Sequence, residues 1–151
     1  MNTLKEGNKA PNFTVNDQEG NPVSMSNYKG KKLVVFFYPK ASTPGCTAEA
    51  CNLTDNYAAL QKEGYEILGI SADSEKRQKN FKEKYNFAFP LLADVDKEVI
   101  NAFGVWGNKK FMGREYDGIH RKTFLINEEG IITRVIDKVK TKDHAAQILE
   151  N

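Results

Sequence analysis

The sequence feature that most constrains the fold is an uninterrupted run of aliphatic and aromatic residues at Leu33–Tyr38. A β-strand with one face in water alternates apolar and polar side chains, whereas a strand covered on both faces is apolar throughout. The run is far shorter than the roughly 20 residues that a membrane-spanning helix requires. It therefore predicts a central strand of a β-sheet that is covered on both faces.

Strand patterns recur along the rest of the chain. We predict a short N-terminal hairpin, with strands at 13–15 and 22–25 around the turn Glu19-Gly20-Asn21. The other predicted strands are 65–71, 90–93, 123–126 and 131–136. The last two of these follow each other closely, so they are expected to form a hairpin.

Helical patterns lie between these strands. Ala50, Leu53, Tyr57 and Leu60 recur at intervals of three, four and three residues, and Gly64 is expected to end this helix. Further helices are predicted at 75–85, 97–103 and 142–149. Alternating strands and helices, followed by two late strands, favour an α/β fold with a mixed β-sheet between helices.

The segment 104–121 is long for an unstructured connection in a compact domain. It contains the large side chains of Trp106, Phe111, Met112 and Tyr116. We therefore expect a packed functional loop whose aromatic residues line the active site.

Size and charge exclude several classes of protein. The chain has 151 residues, which suits one domain, and 22 Lys and Arg against 20 Asp and Glu give a net charge of +2. So balanced a charge argues against a protein dedicated to nucleic acids or to acidic membranes. The N-terminal segment 1–7 carries no apolar signal stretch, and the chain has only two cysteines. We expect a single cytoplasmic domain, residues 1–151, and not a secreted disulfide scaffold.

The stretch Pro39–Cys51 contains the residues that point to chemistry. It follows the buried strand and opens the next helix, and active sites of α/β proteins usually lie at such strand ends. Thr43 suits the N-cap and Pro44 the first helical position, so Cys46 is expected in the first turn. There, free backbone N–H groups and the helix dipole stabilise a thiolate. On these residues alone, a small buried hydrophobe remains the alternative role for Cys46.

A second cysteine, Cys51, lies five residues after Cys46. This is neither the two-residue spacing of thioredoxin-type motifs nor that of a zinc knuckle. On an intact helix the two Cα atoms are about 8.7 Å apart, whereas a disulfide spans at most about 7 Å. A disulfide between them would therefore require local unwinding of the helix, which suits a redox cycle better than a structural staple.

The pattern Pro39-x-x-x-Thr43-x-x-Cys46 is similar to the signature of the peroxiredoxins. With Cys51 five residues on, the chain resembles the bacterioferritin comigratory protein, or Q-type, branch of that family. The resemblance extends over essentially the whole chain, and further segments that carry it are Val34–Pro39, Gly69–Asp73, Phe103–Gly107 and Gly118–Ile126. It implies a thioredoxin-like α/β fold, with a central mixed β-sheet flanked by helices and an N-terminal β-hairpin.

The resemblance implies a thiol peroxidase that reduces hydrogen peroxide and organic hydroperoxides to water and alcohols. Cys46 would be the peroxidatic cysteine, oxidised to a sulfenic acid, and Cys51 the resolving cysteine that condenses with it to an intramolecular disulfide. Thioredoxin or a similar dithiol would be the reductant. We expect a monomer that needs no cofactor and no metal.

The resemblance also assigns roles around the thiol. Thr43 would hydrogen-bond the bound peroxide, Pro39 would shield the thiolate from water, and Arg121 would be the active-site arginine. Glu49 would orient that arginine, and backbone N–H groups near Gly45 are further donors. Only the resemblance distinguishes Arg121 from the other arginines, and an exposed helix surface is the alternative position for Glu49.

Three other interpretations are open. The candidate ligands of a metal site are Cys46, Cys51, His120 and His144. No zinc-type spacing supports such a site, and His144 is expected on the solvated face of a polar C-terminal helix. A thiol–disulfide oxidoreductase that acts on protein disulfides is the second interpretation, against which the cysteine spacing argues. The third is a non-enzymatic partner-binding role of the aromatic segment 104–121.

Overall fold

The structure is a computed structural model that describes residues 4–150. Residues 1–3 and residue 151, which belong to the expected domain 1–151, lie outside the described residues. The described chain forms nine β-strands. In chain order they are β1 (Thr14–Asn16), β2 (Pro22–Ser24), β3 (Lys32–Phe37), β4 (Tyr65–Ser71), β5 (Leu91–Ala93), β6 (Trp106–Phe111), β7 (Arg114–Ile119), β8 (Lys122–Ile126) and β9 (Ile132–Ile136).

Helices complete the secondary structure of residues 4–150. The α-helices are α1 (Pro44–Asp55), α2 (Tyr57–Lys62), α3 (Glu75–Tyr85), α4 (Glu98–Ala102) and α5 (His144–Leu149). A short 3₁₀ helix at Met25–Tyr28 follows β2. None of the helices in the described residues is long and apolar enough to cross a membrane.

A five-stranded mixed sheet forms the centre of the fold, in the order β5-β4-β3-β8-β9. Strands β3, β4 and β5 are parallel, whereas β8 and β9 each run antiparallel to their neighbours. β3 lies in the middle, and its residues Leu33–Phe37 are buried, as the apolar run predicts. The predicted N-terminal hairpin is also present, as β1 paired antiparallel with β2.

Alternate side chains of β3 belong to two hydrophobic clusters, one on each face of the sheet. Leu33, Val35 and Phe37 belong to the cluster that α4 and the β1–β2 hairpin cover. Val34 and Phe36 belong to the other cluster, which packs against α1, α2, α3 and α5. Burial of apolar side chains is the main driving force for folding, so it is this second cluster that holds α1, with both cysteines, on the sheet.

The antiparallel pairing of β3 with β8 brings distant parts of the chain together. Phe37 at the end of β3 is paired with Lys122 at the start of β8. Pro39 and the start of α1 follow β3, while Arg121 immediately precedes β8. The register therefore places Arg121 beside the segment that leads into α1.

The helix predicted from Ala50 to Gly64 is interrupted. α1 ends at Asp55 and α2 begins at Tyr57, and the backbone of Asn56 between them has φ −107° and ψ 14°. The Asn56 side chain donates to the carbonyl of Asn52 at 2.8 Å. Asparagine competes in this way with helical backbone bonding, and the apolar spacing, which continues across the break, does not reveal it.

The expectation of a packed loop over 104–121 is wrong. The segment forms an antiparallel hairpin in which β6 and β7 are paired along their full length. Its two turn residues, Met112 and Gly113, have φ angles of 51° and 78°, as a two-residue hairpin turn requires. The two strands satisfy each other's backbone hydrogen bonds, which explains why so long a connection is ordered although much of it is exposed.

One polar side chain joins α1 to α5. Asn52, next to Cys51, donates from Nδ2 to the carbonyl of Lys142 at 3.0 Å, and its Oδ1 accepts from the backbone N–H of Ala145 at 2.8 Å. The first N–H groups of a helix have no partner within the helix, so Asn52 satisfies one of them. These bonds fix α5 on the part of α1 that carries Cys51.

Asn52→Ala is expected to lower the free energy of unfolding by about 1–3 kcal/mol, because it leaves the N–H of Ala145 without its partner. Denaturant unfolding measures this difference. Asn80→Ala is the matched control, because Asn80 is exposed in the middle of α3. Both substitutions replace a helical asparagine with alanine, so both raise the helix propensity by the same amount. We expect the control to stay within about 0.5 kcal/mol of the unmutated protein. Equal effects of the two substitutions would contradict the role assigned to Asn52.

Candidate active site

Cys46 lies in the first turn of α1, as the sequence predicts. Thr43 is the N-cap residue, with an extended backbone (φ −84°, ψ 155°), and Pro44 is the first helical residue. Cys46 is only 1% exposed and belongs to the hydrophobic cluster that includes Ala50 and Leu53. The thiol is therefore almost withdrawn from solvent, at the positive end of the helix dipole.

Two side chains hold the loop between β3 and α1. Asp73, which follows β4, accepts from the backbone N–H of Ala41 at 2.7 Å. The Thr43 hydroxyl donates to the carbonyl of Lys40 at 2.7 Å and makes no capping bond to α1. A hydroxyl that donates to one carbonyl still has lone pairs with which to accept a hydrogen bond from a bound molecule.

Arg121 connects Cys46 to Glu49. Its Nη2 donates to Cys46 Sγ at 3.3 Å, and its Nη1 donates to Glu49 Oε1 at 2.6 Å. Gly45 leaves room for this approach, because a Cβ at that position would lie 3.3 Å from Nη2 of Arg121. The structure thus brings together four of the residues that the sequence singled out.

The guanidinium of Arg121 is a permanent positive charge in a partly buried place. Burial acts to lower the pKa of Arg121, but Glu49 and Cys46 outweigh burial and raise that pKa above its ordinary value. The Arg121 side chain is 22% exposed, whereas that of Glu49 is 0% exposed. Arg121 therefore separates the carboxyl of Glu49 from solvent and presents its other edge to the sulfur.

Glu49 is fully buried, so its alternative position on a helix surface is wrong. Burial raises the pKa of Glu49 to about 7, although Arg121 acts in the opposite direction. Its Oε2 is a buried oxygen that makes no hydrogen bond within residues 4–150. This oxygen lies 3.5 Å from Nε2 of His144.

The expectation that His144 faces solvent is also wrong. Its ring is buried, with Nε2 2.7 Å from the hydroxyl of Thr123 and Nδ1 2.8 Å from Oε1 of Gln147. Burial lowers the pKa of His144 to about 4; Gln147 opposes this effect, and the positive charges of Arg121 and Arg134 add to it. His144 is therefore a neutral imidazole near neutral pH.

A cavity of about 420 Å³ lies beside the β3–α1 loop. Residues that line it include Pro39, Lys40, Trp106, Lys109, Tyr116 and Ile119. Trp106 and Tyr116 share this cavity with Pro39, whereas Thr43, Cys46 and Arg121 are not among its lining residues. Phe111 and Met112 lie at the end of the hairpin, where they are 65% and 86% exposed, so the expectation that they line the site is wrong.

Cys51 is a free thiol, as is Cys46, and it is half-buried in α1. Five residues turn an α-helix by about 140° beyond one full turn, so Cys51 lies on a different side of α1 from Cys46. Burial raises the pKa of Cys51, and Asp55 acts in the same direction. Intact α1 therefore does not bring the two sulfurs together.

Asp73 had no predicted role at the site, and His144 was considered only as a candidate metal ligand. Asp73 comes soon after β4, and the carboxyl ends of parallel strands meet at one edge of a sheet, so its position was a usable signal. His144, Ala145 and Ile148 form the buried face of α5. A helix this short has too few apolar positions for its buried face to be recognised from spacing.

The arrangement suits one kind of reaction. Cys46 is a nucleophilic sulfur, and the guanidinium beside it cannot act as a base but stabilises negative charge. Nearly complete burial of the sulfur favours a partner with a slender reactive end. The guanidinium favours a reaction in which an atom becomes negative as it leaves, as an oxygen does when the O–O bond of a peroxide breaks. The fold and the site together define a thiol-dependent peroxidase.

Comparisons with known proteins agree with this class. The AhpC/TSA family matches residues 7–135. Peroxiredoxin Bcp of Escherichia coli K12 is 48% identical over 149 residues, which cover 99% of this chain and 96% of that protein. Peroxiredoxin Bcp of Bacillus subtilis 168 is 45% identical over 148 residues, which cover 98% of this chain and 94% of that protein.

Solved structures resemble the fold over most of its length. A PrxQ mutant of Xylella fastidiosa has a TM-score of 0.91 at 29% identity and covers 99% of this chain and 95% of its own. The Xanthomonas campestris bacterioferritin comigratory protein, solved as trapped intermediate/ligand complexes, has a TM-score of 0.85 at 38% identity and covers 91% of this chain and 87% of its own.

The chain belongs to the AhpC/TSA family and is a peroxiredoxin of the Bcp, or Q-type, branch. The thioredoxin-like fold is confirmed, and the activity is that of a thiol peroxidase.

Glu49 and His144 are expected to offset each other in the pH dependence of stability. Between about pH 4.5 and 6.5 the folded protein holds a proton on Glu49, with a pKa of about 7, and His144 is neutral above its pKa of about 4. The unfolded chain holds a proton on His144, with an ordinary pKa of 6.5, and none on Glu49, with one of 4.5. Folding therefore transfers one proton from His144 to Glu49, with no net uptake or release of protons. The pair accordingly adds little to the dependence of the free energy of unfolding on pH in this range.

Glu49→Gln removes one side of this balance. The unfolded variant then binds more protons than the folded variant between the two His144 pKa values of about 4 and 6.5. Its free energy of unfolding should therefore rise with pH over this range by about 1–3 kcal/mol more than that of the unmutated protein. Denaturant unfolding at several pH values measures the slope, with Glu128→Gln as an exposed control. An unchanged slope in Glu49→Gln would show that His144 is not held neutral.

Proposed function

We propose that Cys46 is the peroxidatic cysteine of this peroxidase and that Arg121 acts on both the sulfur and the bound hydroperoxide. The observation that supports this most is the contact between Arg121 Nη2 and Cys46 Sγ at 3.3 Å. The guanidinium stabilises negative charge on the sulfur, and its N–H groups are fixed donors for peroxide oxygens. Glu49 orients the guanidinium, and Gly45 leaves space for it.

In the first step the Cys46 thiolate attacks one oxygen of the hydroperoxide. The S–O bond forms and the O–O bond breaks, which gives a sulfenic acid and an alkoxide or hydroxide that takes up a proton as alcohol or water. Thr43 accepts a hydrogen bond from the peroxide O–H, which its own bond to the carbonyl of Lys40 permits. Pro39 lines the cavity beside the β3–α1 loop, and in this proposal it shields the thiolate from water.

Ionisation of the thiol cannot supply the whole rate. A thiol with the ordinary pKa of about 8.5 is already about 3% thiolate at pH 7, so complete ionisation of a cysteine gains at most about thirtyfold. A more acidic thiol is also a weaker nucleophile, with a Brønsted slope of about 0.4–0.5 in thiol–disulfide exchange. The larger contribution therefore comes from the groups that hold the peroxide in line and stabilise the leaving oxygen, which are Thr43, Arg121 and the backbone N–H of Cys46.

In the second step Cys51 attacks the sulfenic acid, which forms the disulfide and releases water. α1 has to unwind first, because its geometry separates the two Cα atoms by about 8.7 Å. Within α1, all of which the structure describes, no side chain caps the N-terminus, no acidic residue lies in the first turn and no basic residue in the last. Gly45, Thr47 and Asn52 are poor helix formers. Tertiary contacts therefore hold this helix, and it can unwind once Cys46 leaves Arg121.

Thioredoxin or a similar dithiol then reduces the disulfide through a mixed disulfide, in keeping with the resemblance to the Q-type branch. Substrates in this proposal are hydrogen peroxide and organic hydroperoxides.

The protein acts as a monomer in the cytoplasm, where its two free thiols suit a reducing compartment. The continuous sheet and its two hydrophobic clusters support a single domain over residues 1–151.

One equivalent of hydrogen peroxide is expected to make the reduced protein lighter by two hydrogen atoms and to link the peptides of Cys46 and Cys51. Mass spectrometry of the intact and digested protein measures both changes. Cys51→Ser should consume the same equivalent but stop at the sulfenic acid, because the described chain has no other cysteine to condense with it. Undiminished turnover of Cys51→Ser with thioredoxin would contradict its resolving role, and peroxide consumption by Cys46→Ser would contradict the peroxidatic role.

Thr43→Val is expected to slow the oxidation of Cys46 by roughly tenfold to a hundredfold, because it removes an acceptor that holds the peroxide. Stopped-flow oxidation gives this rate, and alkylation of Cys46 as a function of pH gives the thiolate fraction, which should change little. Thr43→Ser keeps the hydroxyl and is the matched control. If alkylation and oxidation fall in proportion, ionisation of the thiol alone would account for the effect of Thr43.

A further inference from the structure

Behind Arg121, α1 and α5 enclose two titratable side chains, one of which, His144, has no part in the steps above. Glu49 Oε2 lies 3.5 Å from His144 Nε2, and both side chains are 0% exposed. Oε2 makes no hydrogen bond within residues 4–150, although Oε1 of the same carboxyl is bound by Arg121 at 2.6 Å. Buried polar atoms are almost always hydrogen-bonded, so an orphaned oxygen that faces an imidazole nitrogen requires an explanation.

The tautomer of His144 follows from the contacts of Gln147. The backbone N–H of Lys140 can only donate, so it bonds Oε1 of Gln147, and the carbonyl of Lys138 can only accept, so it bonds Nε2 of Gln147. The atom that faces His144 Nδ1 at 2.8 Å is therefore an oxygen that accepts. Nδ1 carries a proton, and Nε2 of the neutral ring presents a lone pair.

The lone pair on Nε2 has two neighbours. The hydroxyl of Thr123 lies 2.7 Å from Nε2 and can donate to the lone pair or accept from a protonated Nε2. On the other side an ionised Glu49 would direct a second lone pair at the ring, and the two would repel each other. A proton on either Oε2 or Nε2 converts this repulsion into an attraction. The geometry therefore calls for one proton shared between Glu49 and His144.

The same proton balances the charge of the site. With Cys46 as a thiolate, the cluster contains a negative sulfur, the positive Arg121 and the Glu49–His144 pair. One proton on the pair makes the total charge zero. Without it, an uncompensated negative charge is buried close to the thiolate, which is costly at low dielectric constant. Arg121 is then divided between two anions, and its contact with the sulfur weakens.

We propose that His144 is a positioning residue of the peroxidase, which binds Glu49 Oε2 through one shared proton and so keeps Arg121 directed at Cys46 Sγ. The proposal rests on the proposed roles of Cys46 and Arg121. His144 contacts neither the thiol nor the peroxide and acts through Glu49. Loss of the shared proton at high pH is accordingly expected to slow the oxidation of Cys46.

The charged and polar groups that face this pair come from several elements. They are Arg121 before β8, Thr123 on β8, Arg134 on β9 and Gln147 on α5. Arg134 donates to the carbonyls of Gln147 at 2.7 Å and Glu150 at 3.1 Å, which fixes its charge at the end of α5. Burial raises the pKa of Glu49 to about 7 against the effect of Arg121 and lowers the pKa of His144 to about 4, so the shared proton resides mainly on Glu49.

Two substitutions of His144 separate the roles of its two ring nitrogens. The shorter amide of His144→Asn reaches the position of Nδ1 and keeps the contact with Gln147, whereas the longer amide of His144→Gln reaches the position of Nε2 and keeps the contact with Glu49. We expect His144→Asn to lower the second-order rate constant for Cys46 oxidation by about tenfold. The decrease of this rate constant at high pH should also begin at a lower pH than in the unmutated protein. His144→Gln should stay within about threefold of the unmutated protein.

Stopped-flow oxidation by hydrogen peroxide at several pH values, followed by the fluorescence of Trp106, measures these rates; Trp106 is the one tryptophan of the chain. Asn52→Ala is the control for looser docking of α5, because it removes two bonds between α1 and α5 without touching Glu49. It should leave the rate and its pH profile unchanged. The proposal would be overturned if His144→Asn were oxidised at the same rate as the unmutated protein. It would also be overturned if His144→Asn and His144→Gln lowered the oxidation rate equally.

A measurement on the unmutated protein does not depend on the folding of variants. The chain has two histidines, so nitrogen NMR can assign the ring of His144. We expect a proton on Nδ1, together with an infrared band of a protonated carboxylic acid that disappears in Glu49→Gln. A ring protonated on Nε2 alone, or a neutral ring without the carboxylic acid band, would overturn the proposal.

Failure of this inference and failure of the proposed function give different results. If Cys46 is not the peroxidatic cysteine, one equivalent of peroxide leaves Cys46 of the unmutated protein reduced. If only the role of His144 is wrong, the unmutated protein is oxidised rapidly at Cys46 and both His144 variants react at the same rate as the unmutated protein.

Discussion

The buried contact between Arg121 and Glu49 is the interaction on which the rest of the site depends. It joins the segment before β8 to α1 at 2.6 Å and leaves the other guanidinium nitrogen 3.3 Å from Cys46. A charge removed from water in this way is stable only if a partner compensates it. Because burial also raises the pKa of Glu49, the carboxyl neutralises the arginine incompletely. Part of the positive charge therefore remains available to the sulfur and, in the proposed mechanism, to a bound peroxide.

α1 has to meet two opposing requirements. In the proposed mechanism it must hold Cys46 against Arg121 while peroxide is reduced, and it must unwind before Cys51 can reach the same sulfur. Its own sequence stabilises it weakly, with no side-chain cap, so its stability comes from packing on the sheet and from contacts such as those of Asn52 with α5. Contacts of this kind can be released one at a time, whereas high intrinsic helix propensity acts along the whole helix.

Elements with a strong local pattern were predictable. The apolar run of β3, the strand β4 and the charged helix α3 were all predicted close to their observed bounds, because burial on both faces and helical spacing are visible in neighbouring residues. The break at Asn56 and the β6–β7 hairpin were not, since a side-chain bond to the backbone interrupts one pattern and exposed strands carry little alternation. His144 was misplaced because its burial depends on α1 and β8, which lie far from it in the chain.

The sequence by itself determined the strands and helices that have a strong local pattern, the position of Cys46 in the first turn of a helix and, through its motifs, the family. The motifs also named Arg121 and Glu49 as partners of the thiol, but only the tertiary structure brings them to the sulfur. Arg121 is 75 residues from Cys46, and the antiparallel register of β3 with β8 brings it there. The burial of Glu49 against His144 arises from the packing of α5 on α1 in the same way. Such contacts depend on pairing between distant segments, and local periodicity contains no information about that pairing.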